Sequence, residues 1–234
     1  MKQYSYIDFL AQFGIRSAHP GGMACTESIF EQESIMEEMT ILDVGCGLGE
    51  TASYLEKKFA CQVYAIENHP IMIEKAKKKL EENKNRIMLR DASIEALPFG
   101  DGVFDYLLSE SVLSFVHCRK ALTECRRVLT NHGVFILNEM TLLQPLSENE
   151  KKELQSFYGF TECYEVHQWK DLLCQVGFTK IDTLNVPLRG TKKANQIDLS
   201  VELNPVLLDM LDEHERLVKK FDGKIGNVIL RCEK

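Results

Sequence analysis

The sequence lacks a long apolar run and an excess of positive charge. Its apolar runs are shorter than the roughly 18 residues that a membrane span needs, and its start, MKQYSYIDFL, lacks the apolar core and cleavage site of a signal peptide. Its 28 Lys and Arg residues are outnumbered by 35 Asp and Glu residues, which gives a net charge of −7. We therefore expect a cytoplasmic protein, no membrane partner and no nucleic-acid partner.

The eight cysteines show neither disulfide nor zinc spacing. No C-x-x-C pair or paired histidine pattern occurs, and the chain is not a short secreted one, so we expect no metal cofactor. A group of thiols brought together only by folding is the alternative. Cys61, Cys125 and Cys174 lie in apolar-periodic segments, which predicts small buried side chains.

Short β-branched runs alternate with amphipathic segments of helical length. The pattern predicts strands at 40–44, 62–66, 86–89, 103–108 and 134–137, with helices at 50–59, 70–82 and 119–129, the last ending before the turn at 131–133. This alternation indicates βαβ units, right-handed crossovers and a parallel sheet. The strands are apolar almost throughout, which favours helices on both faces.

The rhythm changes after Leu143. Helices are predicted at 147–159, 166–176 and 205–221, and strands at 178–186 and 227–231. Since no repeat or linker marks a boundary, we expect one domain over 1–234. We divide it into an N-terminal cover (1–39), a core (40–140), an insertion (141–165) and the end of the sheet (166–234).

A glycine-rich turn, DVGCGLG at 43–49, follows the first predicted strand. Glycines let the backbone turn sharply and approach a ligand without a Cβ atom, and the helix start that follows favours a negatively charged ligand group. The dinucleotide fingerprint G-x-G-x-x-G fails, because its sixth position is Glu50 counted from Gly45 and Ala52 counted from Gly47. A plain tight turn without a ligand is the alternative.

Two acids end the next two predicted strands. Glu67 follows the second strand and could accept both hydroxyl protons of a ribose. Asp91 follows the third strand and could accept a hydrogen bond from an adenine amine. Either could be an ordinary surface acid, but their position after a glycine turn favours a nucleoside site.

Five motifs in order carry a family resemblance: LDVGCGLG at 42–49, VYAIE at 63–67, DASIEALPF at 91–99, FDYLLSE at 104–110 and ALTECRRVL at 121–129. The stretch 40–140 resembles class I S-adenosylmethionine-dependent methyltransferases, and among them the branch with the ubiquinone and menaquinone C-methyltransferases and many small-molecule enzymes. That family usually shows Pro-Gly-Gly where this chain has Asn131-His132-Gly133.

The resemblance implies an α/β, Rossmann-like fold, with a seven-stranded sheet whose last strand is antiparallel and lies between strands five and six. It implies S-adenosylmethionine as cofactor and methyl transfer to a small molecule, giving S-adenosylhomocysteine. A protein that binds the cofactor without methyl transfer is the alternative. The cofactor-binding residues expected on these grounds are Asp43, Gly45, Cys46, Gly47, Gly49, Glu67, Asn68, Asp91, Ala92 and Ser109.

Substrate contacts are expected outside the common core. His19, in the His-Pro-Gly-Gly turn at 19–22, could be a general base, part of a cover or a structural residue. Glu110 could polarise an acceptor hydroxyl or serve as a surface acid, and Tyr158 and Phe160 could line an acceptor pocket. Four other histidines are predicted to be surface or cap residues: His117, His132, His167 and His214. The protein is expected to be a monomer or homodimer.

Overall fold

The computed structural model describes residues 4–81, 86–186 and 204–234, and these form a seven-stranded sheet covered by helices on both faces. The strand order is β3-β2-β1-β4-β5-β7-β6. Strand β7 is antiparallel to both of its neighbours and the other pairs are parallel, which confirms the predicted fold. The strands are β1 (Thr40–Val44), β2 (Gln62–Glu67), β3 (Ile87–Asp91), β4 (Phe104–Glu110), β5 (Leu129–Leu142), β6 (Thr179–Thr183) and β7 (Ile225–Glu233).

The helices form two layers that bury the apolar strand residues. They are α1 (Tyr6–Phe13), α2 (Gly22–Phe30), α3 (Glu50–Phe59), α4 (Pro70–Leu80), α5 (Cys118–Val128), α6 (Glu148–Tyr158), α7 (Val166–Val176) and α8 (Pro205–Lys220). Helices α2, α3 and α4 pack on one face around Ile41 and Val63, and α5 and α7 on the other around Leu42 and Leu107. Among the described residues, no helix is both long and apolar enough to cross a membrane.

Two local predictions are wrong. The turn at 131–133 lies inside β5, because α5 ends at Val128 and pairing with β4 starts at once, with an irregular register between Phe104 and Tyr106. Cys174 is exposed, because α7 turns Trp169 and Leu173 toward the core instead. All eight cysteines are free thiols, and no cluster of potential metal ligands occurs in the described part of the chain. The predicted end of α4 near residue 82 falls outside the described residues.

Helix α1 is held against the core at both of its ends. Helix α1 is held at one end by His69, whose ring Nε2 lies 3.2 Å from Oδ1 of Asp8. At its other end Lys75 donates to the carbonyls of Ala11 and Gln12 at 2.9 and 3.1 Å. A lysine bound to the last carbonyls of a helix also compensates the negative end of the helix dipole. The N-terminal segment is therefore packed against the strand ends that carry the predicted site.

Candidate active site

A cavity of about 610 Å³ opens at the carboxyl ends of the central strands. It lies where the strand order reverses between β1 and β4, the usual ligand position in open α/β sheets. One end, here called the cofactor end, is formed by the glycine turn and by residues at strand ends. The described residues that line it include Asp43, Gly45, Cys46, Gly47, Glu67, Asn68, Ala92, Glu110 and Glu139, with His19 from the N-terminal segment.

The glycine turn leaves open space for a ligand at one position. Gly45 and Gly47 have φ values of 67° and 54°, in the left-handed region that favours glycine. A Cβ atom on Gly45 would collide with the side chain of Val112, whereas one on Gly47 would meet no atom within 4 Å. The backbone at Gly47 therefore borders open space in the cavity. Gly49 caps α3 and faces Leu80 instead, outside the cavity lining.

Glu67 is held in place by backbone amides. Its Oε2 accepts from the Gly47 amide at 3.0 Å, and its Oε1 accepts from the amides of Asn68 and His69, both at 2.9 Å. The residue is only 7% exposed. Because a carboxylate offers about four acceptor positions, it retains capacity for a donor in the cavity, such as a sugar hydroxyl.

Asp43 lies beneath the same turn with an unsatisfied oxygen. Its Oδ2 is buried and has no hydrogen-bond partner. Burial, and then the nearby charges of Glu110 and Glu67, raise the pKa of this carboxyl well above its usual range. A buried acceptor without a partner is costly, so this oxygen suits a positively charged ligand group such as the ammonium of an amino acid.

Glu110 joins the N-terminal segment to the core. Its carboxylate accepts from the Thr26 hydroxyl of α2 at 2.9 Å and from the Thr51 hydroxyl of α3 at 3.1 Å. Nδ1 of His19 lies 3.3 Å from Oε1 of Glu110, and both side chains are 6% exposed. Neither ring nitrogen of His19 is aligned for a hydrogen bond. The predicted candidates His19 and Glu110 are thus brought together, with the imidazole at the cavity wall.

Glu139 is a buried acid that sequence analysis missed. It accepts from the amides of Val112 and Leu113 at 2.9 and 3.0 Å and from the Ser109 hydroxyl at 3.2 Å. Burial raises the pKa of its carboxyl to about 7, against the opposing effect of these bonds. The available signal was an acid just after the apolar run 134–137, because a charge buried in such a strand needs partners. Glu139 fixes the loop after β4, which lines the cavity.

The other end of the cavity is an aromatic chamber, defined by Tyr6, Phe115, Tyr158, Phe160 and His214. Tyr158 and Phe160 are stacked at 4.9 Å between ring centroids, and Tyr6 meets Tyr158 edge-on at 4.8 Å. Oη of Tyr158 lies 3.0 Å from Nδ1 of His214. The predictions for Tyr158 and Phe160 as cavity residues agree with this geometry. The prediction of His214 as a surface or cap residue is wrong, because α8 packs it against Tyr6 and Tyr158.

Two further candidate cofactor residues lie outside the cavity lining. Asp91 is exposed at the end of β3, beside Glu67 in the sheet register. Ser109 is fully buried and bonded to Glu139. Asp91 and Ser109 have their predicted places at strand ends and Gly49 its predicted place at the start of α3, but none of the three lines the cavity.

Known proteins match both the sequence and the fold. The methyltransferase domain family matches residues 42–137. The Bacillus subtilis (strain 168) protein described as an uncharacterized methyltransferase, YodH, is 35% identical over 226 residues, which is 96% of this chain and 97% of that protein.

Solved structures share the fold at lower identity. The crystal structure of MccD protein has a TM-score of 0.75 at 16% identity and covers 93% of this chain and 99% of its own. Phosphoethanolamine N-methyltransferase 2 of Haemonchus contortus, in complex with phosphomonomethylethanolamine and S-adenosylhomocysteine, has a TM-score of 0.79 at 18% identity. The match covers 100% of this chain and 58% of that one. The narrower placement beside the ubiquinone and menaquinone enzymes stays a prediction. Since the YodH match spans both chains almost completely, the protein belongs to the class I S-adenosylmethionine-dependent methyltransferases.

Proposed function

We propose that this methyltransferase acts on a small molecule that binds in the aromatic chamber. The observation that carries the proposal is the continuity of the cavity, which extends from the glycine turn to the aromatic rings. Donor and acceptor can then meet in one cavity, as direct transfer of a methyl group requires. A cavity of about 610 Å³ is in the range that small-molecule sites occupy.

The residues at the cofactor end fit S-adenosylmethionine part by part. We assign the methionine moiety to Gly45, Cys46 and Gly47, with its ammonium near the unpartnered oxygen of Asp43. Glu67 is assigned to the ribose hydroxyls.

The adenine is assigned to the strand ends farther along the sheet. Asn68 and Ala92 line the cavity and would contact its face and edge. Asp91 would accept from its amine at the rim. Ser109 would act at the sulfonium end indirectly, since its hydroxyl bonds to Glu139, which lines the cavity.

The protein's own chemical task is alignment, exclusion of water and, for some acceptors, removal of a proton. S-adenosylmethionine supplies a methyl group that is already activated on a sulfonium. His19 is the proposed proton acceptor, because it lines the cavity and its ring nitrogens have no hydrogen-bond partner. Glu110 is assigned a positioning role, because two threonine hydroxyls already bind its carboxylate.

We also propose a cytoplasmic location. All eight cysteines are in the described residues and are free thiols, the state that a reducing compartment maintains. Whether the enzyme is a monomer or a homodimer stays a prediction.

The proposal is tested by following the methyl group. S-adenosylmethionine labelled in its methyl group would be incubated with the enzyme and a cell extract, separated by filtration into small molecules and macromolecules. We expect enzyme-dependent label in the small-molecule fraction, with release of S-adenosylhomocysteine. Label found only in protein or nucleic acid would contradict the proposed acceptor class.

A further inference from the structure

We propose that the acceptor is an uncharged aromatic molecule with a hydroxyl group, and that the Tyr158–His214 pair binds this hydroxyl. The inference rests on the proposed function and specifies its substrate class. It is carried by the ring geometry of the aromatic chamber, by the charges along the cavity and by the polar pair inside the chamber.

The ring geometry favours an aromatic ligand. Tyr158 and Phe160 are nearly parallel, with 18° between their planes, and the rings of Phe115 and Phe160 lie 5.2 Å apart. Ile225, which also lines the cavity, packs in the same apolar cluster as Tyr158 and Phe160. A flat ring can add offset or edge-to-face contacts to such a set, beyond the gain from burying its area.

The charges along the cavity disfavour an anionic acceptor. Among the described residues that line it there is no lysine and no arginine. A carboxylate or phosphate entering the chamber would lose its hydration without gaining a counterion from the protein, which is costly in a site lined mainly by rings.

A cationic acceptor is disfavoured by the methyl donor itself. The acceptor atom must approach the positively charged sulfonium, and like charges at such a distance repel strongly. Three lining carboxylates have other partners: Glu67 holds backbone amides, Glu110 holds threonines, and Glu139 holds the loop after β4. The other two are Glu50, which pairs with Arg16 and Lys79, and Asp43, which is assigned to the ammonium of the methyl donor. No carboxylate belongs to the described residues of the aromatic chamber, so a cation would find no counterion there.

The polar pair in the chamber suits a neutral hydroxyl. Oη of Tyr158 and Nδ1 of His214 are 3.0 Å apart. Burial raises the pKa of Tyr158 to about 12 and lowers the pKa of His214, so both groups are neutral at pH 7. A neutral phenol and imidazole together offer a donor and an acceptor, and a hydroxyl can use both.

The position of the pair is fixed from outside the chamber. Arg216, two residues after His214, bonds to Glu153 of α6 at 2.7 Å. This ion pair joins α8 to the helix that carries Tyr158. Helices α6 and α8 are therefore also linked outside the chamber, near the Tyr158–His214 pair.

The first experiment compares three ligands that differ in charge. Full-length enzyme saturated with S-adenosylhomocysteine would be titrated calorimetrically with 2-naphthol, 2-naphthoate and 2-naphthylmethylamine. We expect 2-naphthol to bind ~10-fold or more tightly than either ion, because only the neutral ligand avoids an uncompensated charge. Equal or tighter binding of an ion, or no binding of 2-naphthol, would overturn the inference. Failure of S-adenosylhomocysteine itself to bind would instead contradict the proposed function.

The second experiment tests the polar pair. Tyr158→Phe and His214→Asn should each weaken 2-naphthol binding by ~5- to 10-fold, the effect of one lost hydrogen bond. Retained affinity for S-adenosylhomocysteine shows that each variant is folded. The matched controls Tyr54→Phe and His167→Asn, both outside the cavity lining, should leave 2-naphthol affinity unchanged. Unchanged affinity in both chamber variants would overturn the assignment of the pair.

Discussion

The two ends of the cavity are built in different ways. The cofactor end comes from one short turn and the ends of adjacent strands, and its carboxylates are oriented largely by backbone amides. The aromatic chamber comes from side chains of α1, α6, α8 and the segment after β4, which are distant in the sequence. Backbone geometry changes little when single side chains change. We therefore expect single substitutions to alter the proposed acceptor site more readily than the proposed cofactor site.

The largest effect is expected from filling the open space beside Gly47 at the cofactor end. Gly47→Val should reduce S-adenosylhomocysteine affinity by ~10³-fold or more, because the side chain would occupy the space where the backbone approaches the ligand. Gly223→Val is the control, because Gly223 also has a positive φ with no atom near its Cβ position, but it lies outside the cavity lining. Both variants should lose similar thermal stability. If Gly47→Val retained its affinity for S-adenosylhomocysteine, the assignment of the cofactor to the glycine turn would be wrong.

The two predicted cofactor acids should differ in importance. Glu67→Ala should weaken S-adenosylhomocysteine binding by ~100-fold, about 3 kcal/mol, because it removes a charged acceptor and leaves three backbone amides without it. Asp91→Ala should change the affinity less than ~10-fold, because the exposed Asp91 carboxylate competes with water. Calorimetry on both variants measures the difference. The reverse order would mean that the ribose lies elsewhere.

His19 should affect turnover more than cofactor affinity. His19→Ala is expected to slow methyl transfer by ~100-fold if the imidazole accepts the proton, with an unchanged affinity for S-adenosylhomocysteine. Steady-state kinetics with an accepted substrate distinguishes a proton acceptor, whose loss lowers kcat, from a residue that only covers the cavity. A loss confined to KM would leave His19 as part of the cover over the cavity, and wild-type kinetics would remove both roles.

A smaller effect is expected from loosening α1. Asp8→Ala removes the capping box with Ser5 and the contact with His69, which should lower stability by ~1 kcal/mol. Hydrogen bonds from Ser5, aided by His69, lower the pKa of Asp8. The stability that the ionised Asp8 carboxylate contributes should therefore be present at neutral pH. It should be lost as the pH falls through the lowered pKa of Asp8. Denaturation of variant and wild type at pH 7 and pH 3 measures this. An equal difference at both pH values would contradict it.

The smallest effect concerns the titration of His214. Burial lowers the pKa of its imidazole below the ordinary 6.5, so the unfolded chain binds this proton more readily than the folded one. The free energy of unfolding should therefore decrease as the pH falls below about 6.5, because protonation of His214 favours the unfolded chain. NMR titration of the ring in folded and denatured protein provides the comparison. A folded value at or above the denatured value would place His214 in water.

Positions at strand ends could be predicted from the sequence, whereas contacts between elements distant in the chain could not. The turn at 43–49 and Glu67 follow strands whose apolar pattern is local, so their positions could be derived from spacing alone. Thr26 reaches Glu110 across 84 positions, and Tyr158 reaches His214 across 56. Such contacts depend on how helices pack, and the local periodicity of apolar residues in the sequence does not predict them. Tyr158 and Phe160 were identifiable only as an aromatic cluster.

The most direct test of the account is a structure of the enzyme with S-adenosylhomocysteine bound. We predict that both ribose hydroxyls lie within hydrogen-bond distance of the Glu67 carboxylate. The amino-acid moiety should lie over Gly47, and the sulfur should face the aromatic chamber. A ribose remote from Glu67, or a sulfur that faces away from Tyr158 and His214, would contradict the division of the cavity into a cofactor end and an acceptor end.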